Sequence, residues 1–347
     1  MIGLGTRYLG LLLLTTALGI YALGHTLHYQ RYSHDISEEL MYFPSGNFLK
    51  IATLGYDAVV SDLLWLKGIQ YYGEHHRTDR DYPLAEHIFS TITDLDPKFI
   101  GAYRFGAFVL AQDVGQPLLG LELLRKGMRH NPGVWRLPFD LGFINFVELG
   151  DNAEAARYFR LASRLEDSPD IAKRFTAFAY RKAGRIGLAR DLWLEIRRSS
   201  SNKVMRETAE YAIKNIDLEL GTSRLTGLVE HFHRANGRSP QRLEDLVANG
   251  LLTEVPRDPF GGMYLLDTHT GRVLSTTKVR REAGNAARFL QRSLDRYFDL
   301  HGHYPATLDE LSTGGIIEEI PSVEGAEIRY QTAGARIEYV FVWDEGE

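Results

Sequence analysis

The sequence contains no cysteine. This absence excludes disulfide bonds, iron–sulfur clusters, thiol catalysis and zinc sites built on thiolates. Positive charge is also in short supply, because 40 lysines and arginines stand against 45 aspartates and glutamates, for a formal net charge of −5. A protein that neutralises phosphates needs an excess of positive charge, so the composition argues against a nucleic-acid-binding protein.

The sequence signatures of common active sites are missing as well. The chain has no glycine-rich loop followed by Lys and Ser or Thr, no Gly-x-Ser-x-Gly and no His-Glu-x-x-His. Its 12 histidines invite a metal hypothesis, but no matching carboxylates accompany them, and solvated or membrane-interface histidines are the preferred interpretation. We therefore predict no catalytic residue, no cofactor and no metal site, and a chain that is not an enzyme.

Charge is absent from an apolar stretch near the N-terminus. No residue from Tyr8 to Leu23 is charged. Counting on to Leu27 gives about 20 residues, which is near the length that a helix needs to cross ~30 Å of hydrocarbon. We predict a transmembrane anchor over residues 1–27. The alternatives are a cleaved signal peptide, with a small-x-small site at residues 22–24, and a buried soluble helix.

The charges around this stretch predict its orientation. Arg7 precedes the apolar residues, whereas Arg31 is the only Lys or Arg among roughly the next 20 residues. Lys and Arg favour the cytoplasmic side of a membrane. We expect a single-pass inner-membrane protein whose body is periplasmic.

Residues 28–82 are predicted to form a juxtamembrane segment and a helix. Apolar residues recur at helical spacing from Asn47 to Tyr72, and a charged loop is predicted over residues 74–81. This helix combines aromatic and acidic side chains, a composition typical of binding hot spots. We predict a protein-binding surface formed by Tyr56, Asp57, Asp62, Trp65, Tyr71 and Tyr72. The alternative is a helix that packs on the next element and has Asp57 and Asp62 on its solvent-exposed face.

A repeated pattern of small and large residues follows. The copies are Ala85, Phe89, Ile92 and Pro97; Gly120, Leu124, Gly127 and Pro132; Ala155, Phe159, Ala162 and Pro169; and Ala189, Trp193 and Ile196 without a proline. Small residues let antiparallel helices approach closely, and proline ends the second helix of each pair.

This pattern resembles the tetratricopeptide repeat (TPR) family over roughly residues 83–200. The resemblance implies stacked helix pairs, because one pair cannot bury its apolar face alone, and a surface that binds a peptide or a partner helix. We place the TPR-like domain at residues 83–220. An unrelated helical bundle is the alternative.

A second duplication lies beyond a boundary predicted at Gly221-Thr222-Ser223. The segments 231–256 and 296–321 align without a gap at an offset of 65 residues. They share Gly237, Pro240, Leu243, Leu246, Gly250, Glu254 and Pro256, which match Gly302, Pro305, Leu308, Leu311, Gly315, Glu319 and Pro321. We predict two α+β copies, at residues 221–278 and 279–347, each with two helices and a β-hairpin.

The first copy resembles the C-terminal part of type II secretion pseudopilins. The matching residues are Gly237-Arg238-Ser239-Pro240, Leu243-Glu244-Asp245-Leu246 and Asp258-Pro259-Phe260-Gly261. The N-terminus has no prepilin cleavage motif, and the second copy has Ser322-Val323-Glu324-Gly325 in place of Asp-Pro-Phe-Gly. The resemblance therefore implies a shared architecture, not assembly into a pilus. Asp258 is expected to cap a turn, with calcium binding as the alternative.

The predicted fold is mainly α: an N-terminal transmembrane helix, a TPR-like α-α solenoid, then two small α+β repeats with β-hairpins. The predicted function is a membrane-anchored scaffold that binds protein partners in a bacterial envelope transport, secretion or pilus-type assembly. A non-catalytic or substrate-handling subunit of a cell-envelope polysaccharide or cell-wall enzyme complex is the alternative. A pilus-like structural subunit is a third hypothesis, which the missing prepilin motif disfavours.

Overall fold

A computed structural model of the chain describes residues 46–332 and 334–341. The predicted anchor over residues 1–27 lies outside the described residues. Across the ranges that are described, no helix has both the length and the apolar character needed to cross a bilayer. The chain divides into two compact units after Leu192.

The first unit is built of consecutive helices joined by short turns. They are α1 (Gly46–Ala52), α2 (Asp57–Arg77), α3 (Ala85–Leu95), α4 (Ile100–Phe108), α5 (Pro117–His130), α6 (Arg136–Val147), α7 (Asn152–Ala162), α8 (Asp170–Lys182) and α9 (Ile186–Ser199), whose end crosses into the second unit. Helix α2 packs on α3, α4 on α5, α6 on α7 and α7 on α8. The predicted stacking of helix pairs is confirmed from α2 to α8.

The helix pairs begin before the predicted TPR-like domain, because α2 is the partner of α3. The single helix predicted from Asn47 to Tyr72 is wrong. It is interrupted between α1 and α2, where Leu54 and Gly55 take positive φ angles of 50° and 92°. The predicted charged loop is also wrong at its start, since α2 continues to Arg77. A glycine at the interruption accommodates a backbone that other residues rarely adopt.

The small and large residues of the repeat pack as predicted. The side chains of Ala85, Phe89, Ala155, Phe159, Ala189 and Trp193 are all buried. A Cβ atom at Gly120 would lie 2.5 Å from the backbone oxygen of Ala107, and a Cβ atom at Gly142 would lie 2.7 Å from the Phe159 ring. These helices therefore approach at distances that only glycine allows.

Polar contacts between successive pairs recur at one repeat length. The Asn131 side-chain amide donates to the Pro97 carbonyl oxygen at 2.7 Å, across 34 positions of sequence. The Gln112 side-chain amide donates to the Glu148 carboxylate at 3.0 Å, across 36 positions. The prolines that end the first three copies, Pro97, Pro132 and Pro169, are 35 and 37 residues apart, so these contacts follow nearly the same period.

The second unit contains two long helices, two short helices and two hairpins. The elements are α10 (Lys203–Asn236), α11 (Glu244–Ala248), β1 (Tyr264–Leu266), β2 (Val273–Ser275), α12 (Thr276–His301), α13 (Asp309–Thr313), β3 (Ala326–Gln331) and β4 (Arg336–Phe341). Strands β1 and β2 form one antiparallel sheet, and β3 and β4 form another. Each hairpin lies on the long helix of its own copy, which supports a two-stranded ribbon that is too small to be stable alone.

The two copies share local hydrogen bonds at the 65-residue offset. Both long helices end at a glycine in the left-handed conformation. The Leu251 amide donates to the Leu246 carbonyl oxygen at 2.9 Å, and the Ile316 amide donates to that of Leu311 at the same distance. Leu246 and Leu311 are fully buried in their cores, as predicted.

Two details of the second unit differ from prediction. The boundary at Gly221-Thr222-Ser223 is wrong, because α10 runs through it without interruption. Gly221 is needed for another reason: a Cβ atom there would overlap the hydroxyl of Tyr264. Pro240 and Pro305 suit the first turn of a helix, where the missing N–H of proline costs nothing, but they lie before the short helices, with an irregular turn in between.

Candidate functional site

The six residues predicted to bind protein do not share one surface. Tyr71 is only 1% exposed, so its assignment to a binding surface is wrong. Its hydroxyl oxygen accepts a hydrogen bond from the Leu84 amide at 3.1 Å. Burial, the largest influence, raises the pKa of Tyr71. This tyrosine joins α2 to the start of α3 and is a core residue.

Two other predicted residues belong to a ring cluster between α2 and α4. The ring of Trp65 lies 5.2 Å from that of Phe99 and 5.5 Å from that of Phe105, measured between centroids. The ring of Tyr72 lies 5.1 Å from Phe105. Aromatic rings at these distances attract one another. These contacts are those of a helix packing on its neighbours in the array.

The three remaining residues lie at the first part of α2. Tyr56 is 70% exposed, and Asp62 is exposed as well. The carboxylate of Asp57 accepts a hydrogen bond from the Thr53 hydroxyl just before the helix. The assignment of Tyr56, Asp57 and Asp62 to a protein contact stays a prediction.

Tyr72 also belongs to a polar cluster that the sequence did not predict. Its hydroxyl donates to the Asp113 carboxylate at 3.3 Å, and its ring stacks on Tyr82 at 5.5 Å. His76 Nδ1 lies 3.3 Å from the Tyr82 hydroxyl. Burial and then the negative charge of Asp113 raise the pKa of both tyrosines. The phenols therefore stay protonated at neutral pH and act as hydrogen-bond donors.

Asp113 reaches this cluster because a π-helical turn, Val109–Asp113, continues α4. In this wider turn the Val114 amide donates a hydrogen bond to the Val109 carbonyl oxygen at 3.0 Å. Such a turn has no signature in the apolar spacing, which is why the sequence did not indicate the cluster.

Asp258 caps a turn, as predicted. Its Oδ1 accepts hydrogen bonds from the Phe260 and Gly262 amides, both at 2.9 Å, and its Oδ2 accepts one from the Ser275 hydroxyl at 2.7 Å. Burial raises the pKa of this carboxyl, but the hydrogen bonds, including one from Thr277, outweigh it and hold the pKa below its ordinary value. Within residues 46–332 and 334–341, no three His, Asp or Glu side chains are grouped so as to bind one metal ion.

A basic groove lies on the first unit, along α7 and the end of α8. We name it the arginine groove. Its cavity volume is about 560 Å³, within the size range of ligand pockets. It is lined by Ala153, Glu154, Arg157, Tyr158, Arg160, Leu161, Arg164, Tyr180 and Arg185. Four arginines and a single acidic residue give this wall a strongly positive charge.

Two buried tyrosines hold two of the four arginines of the groove. The Arg160 guanidinium donates to the Tyr180 hydroxyl at 3.2 Å. The Arg157 guanidinium lies 4.4 Å above the ring of Tyr158 and pairs with Glu154 at 2.7 Å. Guanidinium groups held in this way present their remaining N–H groups in fixed directions.

One acidic residue cannot neutralise four arginines. Glu154 is engaged by Arg157. Within the described part of the chain, no carboxylate lies within ion-pair distance of Arg160, Arg164 or Arg185. The sequence contains a signal for this site, namely arginines at i, i+3 and i+7 (157, 160 and 164), but the negative net charge of the whole chain conceals it.

No protein-family model matches the chain, and no curated protein matches it. Among solved structures, the crystal structure of MamA protein is 18% identical, with a TM-score of 0.34, and the match covers 55% of this chain and 98% of that one. A TPR protein of Thermus thermophilus is 17% identical, with a TM-score of 0.31, and the match covers 47% of this chain and 98% of that one. At these scores the likenesses carry no argument, and the helix pairs of the chain itself define its repeat.

Proposed function

We propose that this chain is a membrane-tethered scaffold, not an enzyme, and that it binds a protein partner in the arginine groove. The observation that carries the proposal is the set of exposed arginines, Arg160, Arg164 and Arg185, that have no acidic partner among the residues that the structure describes. Stacked helix pairs form extended surfaces that suit a peptide or a partner helix. A charged lining of such a surface selects its partner and guides association.

The setting that fits this scaffold best is an envelope transport, secretion or pilus-type assembly at the bacterial inner membrane, with the body in the periplasm. The predicted anchor and the likeness of the second unit's duplicated sequence to pseudopilins support this setting. A non-catalytic subunit of a cell-envelope polysaccharide or cell-wall enzyme complex is the alternative. Copurification of wall-synthesis enzymes in place of secretion components would favour it.

An apolar face at the first helices supports the membrane tether. Its side chains are 55–86% exposed, and they are Ile51, Leu54, Val59, Leu63 and Leu66. Terminal repeats of a free-standing array need a polar outer face for solubility. This face begins 24 residues after the end of the predicted anchor at Leu27. A chain of that length keeps the face close to the membrane, so the bilayer surface is the apolar phase within its reach. We propose that this face lies against the bilayer.

Site-specific photo-crosslinking tests the protein-binding function. A photoreactive residue replaces Leu161, which lines the groove and is 40% exposed. The control position is Leu118 on α5, which is 67% exposed and outside the groove. We expect a discrete crosslinked protein from position 161 in intact membranes and none of that size from position 118. Equal crosslinking patterns at both positions would refute a partner-specific groove.

Reporter fusions test the membrane orientation. A periplasmic reporter fused after Glu347 should be active, and carbonate washing should leave the protein in the membrane fraction. Activity of a cytoplasmic reporter alone would overturn the orientation. Release by carbonate would indicate a cleaved or soluble form.

A further inference from the structure

We infer that the ligand of the arginine groove is an extended protein segment with acidic side chains at every second position. This inference rests on the proposed protein-binding function and names the chemistry of the partner. Arginine binds carboxylates through paired, parallel hydrogen bonds, which makes it the residue suited to this recognition.

The spacing of the arginines matches an extended acidic chain. Arg160 lies on α7, and Arg164 follows in the turn after it, where Ser163 keeps helical backbone angles of φ −66° and ψ −12°. Four helical residues span about 6 Å along the axis. Alternate residues of an extended chain point the same way and lie about 6.6 Å apart. Two carboxylates at positions i and i+2 can therefore meet the two guanidinium groups together.

Other parts of the groove fit a peptide as well. Arg185 approaches from the turn after α8, so positive charge comes from two different elements. Leu161 supplies an apolar contact between the charged positions. The floor is formed by Tyr158 and Tyr180, which are only 6% and 9% exposed.

The same floor disfavours single-stranded nucleic acid. Proteins that bind it stack bases on exposed aromatic rings, and both tyrosine rings here are buried. The net charge of −5 also opposes a long polyanion, whereas a short acidic segment meets the local positive charge alone. A peptide is the ligand that the groove's own residues favour.

Fluorescence anisotropy with the full chain in detergent micelles tests the inference. The probe is a labelled peptide Glu-Ser-Glu-Ser-Glu, and Gln-Ser-Gln-Ser-Gln is its neutral match. The groove variant is R160Q/R164Q. The control variant, R129Q/R224Q, removes the same charge at two exposed positions outside the groove.

We expect wild type and the control variant to bind the acidic peptide alike. The groove variant should bind it at least about tenfold more weakly, because it loses charge-assisted hydrogen bonds. The neutral peptide should not bind. The charge-preserving variant R160K/R164K should show intermediate affinity, which separates paired hydrogen bonding from charge alone. All three variants replace exposed side chains and should keep the circular dichroism of wild type.

Three outcomes would overturn the inference: equal weakening in groove and control variants, equal binding of the neutral peptide, or tighter binding of a single-stranded oligonucleotide or of pyrophosphate than of the acidic peptide. Crosslinking of a protein at position 161 without any binding of the acidic peptide would leave the scaffold intact and reject only the acidic ligand. Loss of both would reject the proposed function too.

Discussion

Replacement of Gly120 by alanine should destabilise the second helix pair, even though alanine favours helices. Gly120 lies on α5, where a Cβ atom would come within 2.5 Å of the Ala107 carbonyl oxygen. This distance is well inside the 3.4 Å at which ordinary contact begins. The atom that it meets is backbone, so no side-chain rotation relieves the overlap, and α4 and α5 must move apart.

The size of the effect follows from two opposing contributions. Alanine is better than glycine in a helix by about 1 kcal/mol. Overpacking costs about 1–3 kcal/mol, and a rigid backbone contact belongs to the upper half of that range. G120A should therefore lower local stability by about 1–2 kcal/mol. The matched control is G73A on α2, where a Cβ atom would meet nothing within 4 Å, and there the same change should stabilise by about 0.5–1 kcal/mol.

Hydrogen exchange measured by mass spectrometry gives the opening free energy of each helix separately, which suits a chain of two units. Peptides that cover α4 and α5 report on G120A, and peptides that cover α2 report on G73A. The two variants should change stability in opposite directions, so that their opening free energies, each relative to wild type, differ by about 1.5–3 kcal/mol. If both variants stabilise their helices equally, the close approach of α4 and α5 is refuted.

Two further predictions test other contacts. A155W should overpack the buried face of α7 and cost about 1–3 kcal/mol in the exchange of α6 and α7, and a neutral result would argue against the repeat register. D258N should destabilise the β1–β2 hairpin by about 1.5–3 kcal/mol, because Asn cannot replace the charge that accepts these hydrogen bonds. Since the folded pKa of Asp258 lies below its ordinary value of 3.8, its stabilising contribution is present at neutral pH and is lost as the pH falls through the folded pKa. The acid sensitivity of hairpin exchange should therefore weaken in D258N, and an unchanged acid profile would refute the role of the carboxylate.

The sequence predicted the features of the fold that depend on regular spacing, namely the helix pairs and their buried residues. Ala155 and Phe159 recur in register with the other copies, and periodic packing buries them wherever helix pairs stack. Gly221 suggests a boundary in the sequence, but in the fold it leaves room for the hydroxyl of Tyr264. Tyr264 comes near Gly221 only after folding, so the sequence alone does not indicate this contact. Local composition could not distinguish a glycine that ends a helix from one that admits a neighbour.

The candidate site shows the same limit. Tyr71 is a residue type that is common in binding surfaces, but its position on the helix points its side chain into the core. The arginine groove joins α7 to Arg185 across the next helix, so it exists only once the array is formed. Net charge, which averages over the whole chain, conceals such local convergence.

The most direct test of the scaffold is photo-crosslinking from position 161 in intact membranes, compared between the wild-type background and the two charge variants. We expect R160Q/R164Q to lose most of the crosslinked partner and R129Q/R224Q to keep it at the wild-type level. Undiminished crosslinking in R160Q/R164Q would contradict the claim that the arginines of this groove hold the partner.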